Sequence, residues 1–230
     1  MARKKLLSEI KDSIRDLVFG MEDGLISNLG LVLGVAAAGV SNSTVLLAGF
    51  ASMFAGAVSM AAGDYLSTKS QREVLDEQVE EEETKLSKPK EEYKAIHELY
   101  KAARFTDKEI KHFMKHLNTD KKLTLKILAE EALGIVPEKY DNPIRGAVTI
   151  FVAFFFGSIF PIFPFFLHDT KLASIIALAA TGLTLFGVGA YKTTITKRNW
   201  LKSGLEMVVV ALLAAIAGYA IGILFGAQLA

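Results

Sequence analysis

Asp23 stands at the entrance to a long uncharged run. It lies in Val18-Phe-Gly-Met-Glu-Asp-Gly-Leu-Ile-Ser-Asn-Leu-Gly30, and the run ends near Val40. A carboxylate in a membrane span costs roughly 2.5–3.5 kcal/mol at the helix centre. Chains tolerate that cost where the group binds an ion, relays a proton or meets a buried partner. The next uncharged run carries Ala57-Val-Ser-Met-Ala-Ala-Gly-Asp64. Met60 and Asp64 are four residues apart and share a helix face, with Met53 on the same broad side two turns earlier. A hard carboxylate near a soft thioether suits a transition metal better than Mg²⁺ or Ca²⁺. The alternative for Met60 is plain packing, the commoner role of a membrane methionine. Glu22 adjoins Asp23 but points about 100° away on a helix, so at most one of the two need face a shared path.

Two further groups of side chains have ligand chemistry. Glu73, Asp76, Glu77, Glu80 and Glu81 recur at three- and four-residue spacing, and Glu82 and Glu83 widen the patch. On a helix the first five share one face. They form either a vestibule that attracts cations, with carboxylates able to hold a metal, or a solvated helix face. His112 and His116 are spaced so that both rings could reach one metal, or they are exposed histidines on a lysine-rich helix. No Glu follows His112, so the zinc-protease pattern is missing.

Several classes are excluded or unsupported. The chain has no cysteine, which removes disulfides, thiolate metal sites and thiol catalysis. There is no Ser-His-Asp order or phosphate loop, and no enzyme is expected. The net charge is +1 and the basic residues are dispersed, so nothing points to nucleic acid.

Charge segregation decides what holds these residues. The chain has 230 residues and is 51% hydrophobic, with a mean hydropathy of +0.34. Residues 24–40, 44–63, 146–167, 172–191 and 207–230 contain no Asp, Glu, Lys or Arg. A hydrocarbon core needs roughly 20 helical residues. The expected fold is an all-α membrane protein with five transmembrane helices, the first beginning near Leu17. Residues 4–18 have one apolar stripe and read as an interfacial helix before the first span. Arg3, Lys4, Lys5, Lys11 and Arg15 precede that span, and Lys192, Lys197, Arg198 and Lys202 lie between spans four and five. The other two loops carry only Lys171. The positive-inside rule then places the N-terminus and the central segment in the cytoplasm.

The central segment is a helical insert between spans two and three. Seventeen of the 25 acidic residues fall between Glu73 and Asp141. The expected boundaries are 1–68 for the interfacial helix and spans one and two, 69–143 for the acidic cytoplasmic domain, and 144–230 for spans three to five. The insert reads as an extension of span two followed by about three short helices, with Thr106-Asp-Lys-Glu109 as a capping box. Glycines four apart recur at Gly20 and Gly24, at Gly30 and Gly34, and at Gly218, Gly222 and Gly226. Such spacing lets backbones approach closely, within the chain or between two copies. Pro161 and Pro164 either kink span three or form its exit.

Together these motifs resemble the vacuolar iron transporter family. Val18-Phe-Gly-Met-Glu-Asp-Gly-Leu is similar to its first-helix signature, and the segment from Ala55 to Ser70 to its second. Leu133-Gly-Ile, Pro143 and the Gly-x-x-x-Pro-x-x-Pro ending at Pro164 match as well, and the similarity covers roughly residues 13–227. The resemblance implies a homodimer with its path between subunits. It also implies export of Fe²⁺, with Mn²⁺ or other divalent metals as further cargo, in exchange for protons. The implied path residues are Asp23 and Met60, with Asp64 standing in for an acidic position now occupied by Ser52. Glu82 and Glu92 fall at the insert's metal positions, while Lys85, Ala95, Leu128, Ala129 and Ala132 occupy the others. Glu77, Glu80 and Glu81 are neighbouring metal candidates. No permanent cofactor is implied, and the setting is the plasma membrane or a vacuole-like organelle membrane. The competing expectation is a membrane scaffold or metal sensor that acts through the acidic insert.

Overall fold

The computed structural model describes residues 2–85, 94, 97–98, 100–117 and 142–229. Its main helices are α1 (Ala2–Ala37), α2 (Asn42–Lys85), α3 (Asp107–Leu117), α4 (Pro143–Ile162), α5 (Thr170–Thr196) and α6 (Trp200–Leu229). A 3₁₀ turn over Phe163–Phe166 follows α4. No strand occurs among the described residues. Five helices are long and apolar enough to cross a membrane, over Ile14–Ala37, Asn42–Glu81, Pro143–Phe166, Thr170–Thr194 and Trp200–Gly226. The five-span all-α expectation holds.

α1 differs from the sequence reading. It is one helix from Ala2 to Ala37, with no break between the amphipathic stretch and the span. Nothing in the stretch breaks a helix: it has no proline, and its glycines lie against α4. A Cβ on Gly20 would sit 2.8 Å from the Ile150 carbonyl oxygen, and one on Gly157 would sit 2.6 Å from that of Met21. Arg15 and Asp16 thus lie on the same continuous helix as the first span.

The chain divides into two compact units, 1–66 with 142–230, and 67–141. In the first, α1 is the central element and packs along α4, α6 and α5. Leu25, Leu29, Val32, Phe165, Ala177, Leu185 and Ala211 fill this core. The glycine series at both ends of the chain meet each other. A Cβ on Gly34 would lie 2.7 Å from the Gly218 oxygen, while one on Gly218 or Gly222 would strike the Gly30 or Gly34 oxygen. The small-residue spacing thus serves packing within the chain.

α2 is attached differently. Among the described residues it has no extended backbone approach to another helix, and large side chains fill the gap. Phe54 meets Phe155 edge to face, Phe50 meets Phe166, and the Phe154 ring covers Gly56. Asn42 ties its start to the α4–α5 connection, accepting from the Thr170 hydroxyl at 2.6 Å and donating to the Leu167 carbonyl. α4 is capped by Asn142, whose side chain accepts from the Ile144 and Arg145 amides. Pro161 is the penultimate residue of α4, and Pro164 lies in the 3₁₀ turn, so the prolines end this helix rather than bend its middle.

In the second unit the expected capping box opens α3. The Thr106 amide donates to Glu109 Oε2 at 2.8 Å, and the Glu109 amide to Thr106 Oγ1 at 3.4 Å. The Thr106 hydroxyl and amide both hold the Glu109 carboxyl below its ordinary value. A lowered folded value means that this contribution is present above the unfolded value and is lost as pH falls through the folded one. Protection of the Thr106 amide against hydrogen exchange, relative to its intrinsic rate at each pH, is expected to fall on acidification through that window. In Glu109→Gln the acid dependence should vanish; an unchanged profile in the variant would discard the linkage. Residues 94, 97–98 and 100–102 are helical as well; the last short helix expected for the insert lies outside the described residues.

Candidate functional site

The carboxylates at issue lie on the two longest helices, α1 and α2. Asp16, Glu22 and Asp23 lie on α1 within the first span, and Asp64 lies on α2 within the second. Asp16 and Asp23 are seven residues apart, two turns on nearly the same face and about 10 Å along the axis. Asp16 is 8% exposed. Arg15 donates to its Oδ1 at 3.1 Å from a guanidinium that is itself largely exposed.

Gly146, in the first turn of α4, brings two of these acids together. A Cβ there would collide with Asp64 Oδ2 and lie 3.5 Å from Asp16 Oδ2. The two carboxylate oxygens are therefore within about 6 Å of each other, a range at which like charges repel and a cation or a proton between them relieves the repulsion. Sequence reasoning selected Asp64 but missed Asp16, which looked like one polar position of an amphipathic interfacial helix. The missing signal was tertiary: the absent side chain of Gly146 makes the room.

Asp23 is partly exposed, and its carboxylate has no hydrogen bond or ion pair to any described residue. Its carbonyl accepts from the Ser27 hydroxyl one turn on. Glu22 and Met60 are also partly exposed. Met60 lies one turn from Asp64, on the side toward the helix start. No described contact joins Asp23 to Met60, consistent with the gap between the α1 and α2 backbones.

Next to Asp23, α1 turns a second polar group inward. Asn28 is fully buried. Its Nδ2 donates to the Gly24 carbonyl at 3.2 Å and to Ser158 Oγ at 2.8 Å. Ser158 in turn donates to the Phe154 carbonyl at 2.7 Å. The Gly24 oxygen can only accept, which fixes the amide orientation. Asn28 and Ser158 thus lock α1 to α4 beside the acidic stripe. Neither was singled out from sequence, because uncharged polar residues in a charge-free window carry no pattern.

Glu77, Glu80 and Glu81 are exposed residues of α2. The Glu82 side chain and Glu92 lie outside the described residues, as does the His116 side chain; His112 is exposed on α3. Among the described residues no three His, Asp or Glu side chains gather closely enough to hold a metal. The chemistry among the described residues is therefore a carboxylate pair at one level and, two turns away on the same helix, a carboxylate with no described partner.

The VIT family model matches residues 14–223, from the first residue of the first span into α6. The chain belongs to the VIT family. Among its VIT relatives, "Vacuolar iron transporter 1" of Tulipa gesneriana is 30% identical, with 91% of this chain and 85% of the relative aligned. The Arabidopsis thaliana protein of the same name is 27% identical over 90% of this chain and 83% of its own. "Vacuolar iron transporter" of Plasmodium falciparum is 23% identical over 93% and 82%. VIT proteins are transporters and not enzymes, and the stretch shared with the family contains Asp16, Asp23, Met60 and Asp64.

Proposed function

We propose that this VIT protein is a homodimeric exporter of divalent transition metal. Its cargo is Fe²⁺, with Mn²⁺ as a second one, and protons return in exchange. The observation that carries the reading is Asp23, an intramembrane carboxylate with no partner among the described residues and in line with Asp16 on one helix face. An ionisable group at that depth needs water, a partner or a cargo. The names of the relatives supply the metal: three VIT relatives are called iron transporters.

The physical route is a ladder. The Asp16–Asp64 pair is a mouth where a cation or a proton relieves repulsion between two acids. Asp23 lies about 10 Å deeper, and Met60 offers a soft sulfur that favours transition metals over Mg²⁺ and Ca²⁺. Exchange follows when the same carboxylates take either metal or proton. The acidic face at Glu73, Asp76, Glu77, Glu80 and Glu81 raises the local cation concentration. Asp23 is open at the protomer surface, and a carboxylate facing lipid is costly. A second copy covering that face supports the dimer. The loop cations support a cytoplasmic N-terminus and insert, and a vacuole-type membrane agrees with the relatives' names.

The test is uptake of Fe²⁺, Mn²⁺, Co²⁺ and Zn²⁺ into proteoliposomes, with a pH dye inside. Metal entry coupled to opposite proton movement is expected, with Fe²⁺ and Mn²⁺ fastest. Metal entry without any proton signal would remove the exchange. No flux of any metal from a folded, inserted protein would remove the transporter reading.

A further inference from the structure

Most glycines in the spans are pressed against another chain segment. Gly182 is not: a Cβ there would meet nothing within 4 Å. It lies in the middle of α5, where a glycine costs about 1 kcal/mol relative to alanine. It faces a groove of about 460 Å³ between α5 and α6, walled by Leu178, Leu183, Phe186, Val208, Ala211 and Leu212. Phe186 lines the end nearest the α5–α6 connection, packing on Gly204 and edge to face on Trp200.

Beyond that end lies a tight, positively charged turn. α5 finishes on Lys197 in the left-handed conformation (φ 54°), whose amide donates to the Thr193 carbonyl at 2.8 Å. Asn199 starts α6 by accepting from the Leu201 and Lys202 amides. Capping on both sides fixes the turn that presents Lys197 and Arg198. Lys192, Lys197, Arg198 and Lys202 have no ion pair with any described residue. Lys192 on α5 and Lys202 on α6 are each six residues, about 9 Å along the axis, from the groove's end at Phe186 and Val208. Exposed Tyr191 and Trp200 mark the same level, where aromatic side chains favour the membrane–water interface.

We propose that the α5–α6 hairpin is a binding site for one anionic phospholipid of the surrounding bilayer. An acyl chain lies along the groove over Gly182, and the phosphate is held by Lys197, Arg198 and Lys202. The apolar wall accepts hydrocarbon, and the unpaired cations accept the phosphate's charge. The offset between them matches a molecule whose phosphate sits just outside its hydrocarbon. Basic pockets between transmembrane helices bind anionic headgroups in this way.

The experiment is native mass spectrometry of the full chain released from mixed phosphatidylglycerol and phosphatidylcholine bilayers. Wild type is expected to retain one phosphatidylglycerol per protomer, with a preference of at least about tenfold over phosphatidylcholine. Lys197→Gln/Arg198→Gln/Lys202→Gln, all at the exposed turn, is expected to abolish the preference. Gly182→Leu puts side-chain atoms into the groove from a position where a Cβ meets nothing within 4 Å, and is expected to abolish retention. Equal retention of the two lipids by wild type would overturn the site. So would undiminished phosphatidylglycerol on Gly182→Leu, because the cations alone would then be binding. A loss of dimer in Gly182→Leu with lipid retention intact would also overturn it, assigning the groove to a contact between copies.

Discussion

Metal flux through Asp23→Ala is expected to fall by at least about 100-fold in proteoliposomes, while the protein remains folded. A unit charge 4 Å from a carboxylate gains about 4 kcal/mol at an effective dielectric constant of 20. Each 1.36 kcal/mol is a factor of ten in rate, so losing the charged ligand for a divalent ion removes two orders of magnitude or more. Stability should not follow flux. Asp23 has no partner among the described residues to lose, and taking a charge out of a span removes a cost of roughly 2.5–3.5 kcal/mol. The thermal midpoint of Asp23→Ala is therefore expected to match or exceed that of wild type. Asp23→Asn keeps the shape without the charge and should fail as fully, whereas Asp23→Glu should recover part of the flux. Normal transport by Asp23→Asn would take the carboxylate out of the mechanism.

Gly222→Leu is expected to have the largest effect on folding. A Cβ at Gly222 would strike the Gly34 carbonyl oxygen and come within 2.9 Å of Ala37 Cβ. Both obstacles are backbone or backbone-anchored atoms, so no rotamer change relieves them. Overpacking costs typically 1–3 kcal/mol, and at the upper end a chain of this size loses roughly 10 °C in midpoint. At Gly182 an added Cβ would meet no atom within 4 Å, and the side chain beyond it enters an open groove, so Gly182→Leu should leave the midpoint nearly unchanged. Thermal unfolding followed by size-exclusion chromatography separates the two. Equal midpoints would show that α1 and α6 do not meet through their glycines.

The five spans were legible because charge is excluded from them, and exclusion is a local property of the chain. Asp23 and Met60 stood out for the same reason, as a costly carboxylate and a soft donor within apolar runs. The glycine spacing was legible too, but not its partner: Gly218 and Gly222 could have faced a second copy as easily as Gly30 and Gly34. Asp16 was hidden. On sequence it belongs to an amphipathic stretch, and only the unbroken course of α1 brings it into the bundle, where Gly146 admits Asp64 beside it. Asn28 and Ser158 were hidden likewise, since a hydrogen bond spanning 130 residues leaves no trace in either local pattern.

The unequal attachment of α1 and α2 gives this transporter a fixed post and a loose arm. α1 is seated backbone to backbone on α4 and α6, so any sideways step drives carbonyl oxygens into neighbouring atoms. α2 leans on the same bundle through phenylalanine rings, which re-stack at the cost of a rotamer change. Asp16 and Asp23 ride on the post, whereas Met60 and Asp64 ride on the arm. A swing of α2 by a ring's thickness would part Met60 and Asp64 from Asp16 and Asp23 without disturbing the core.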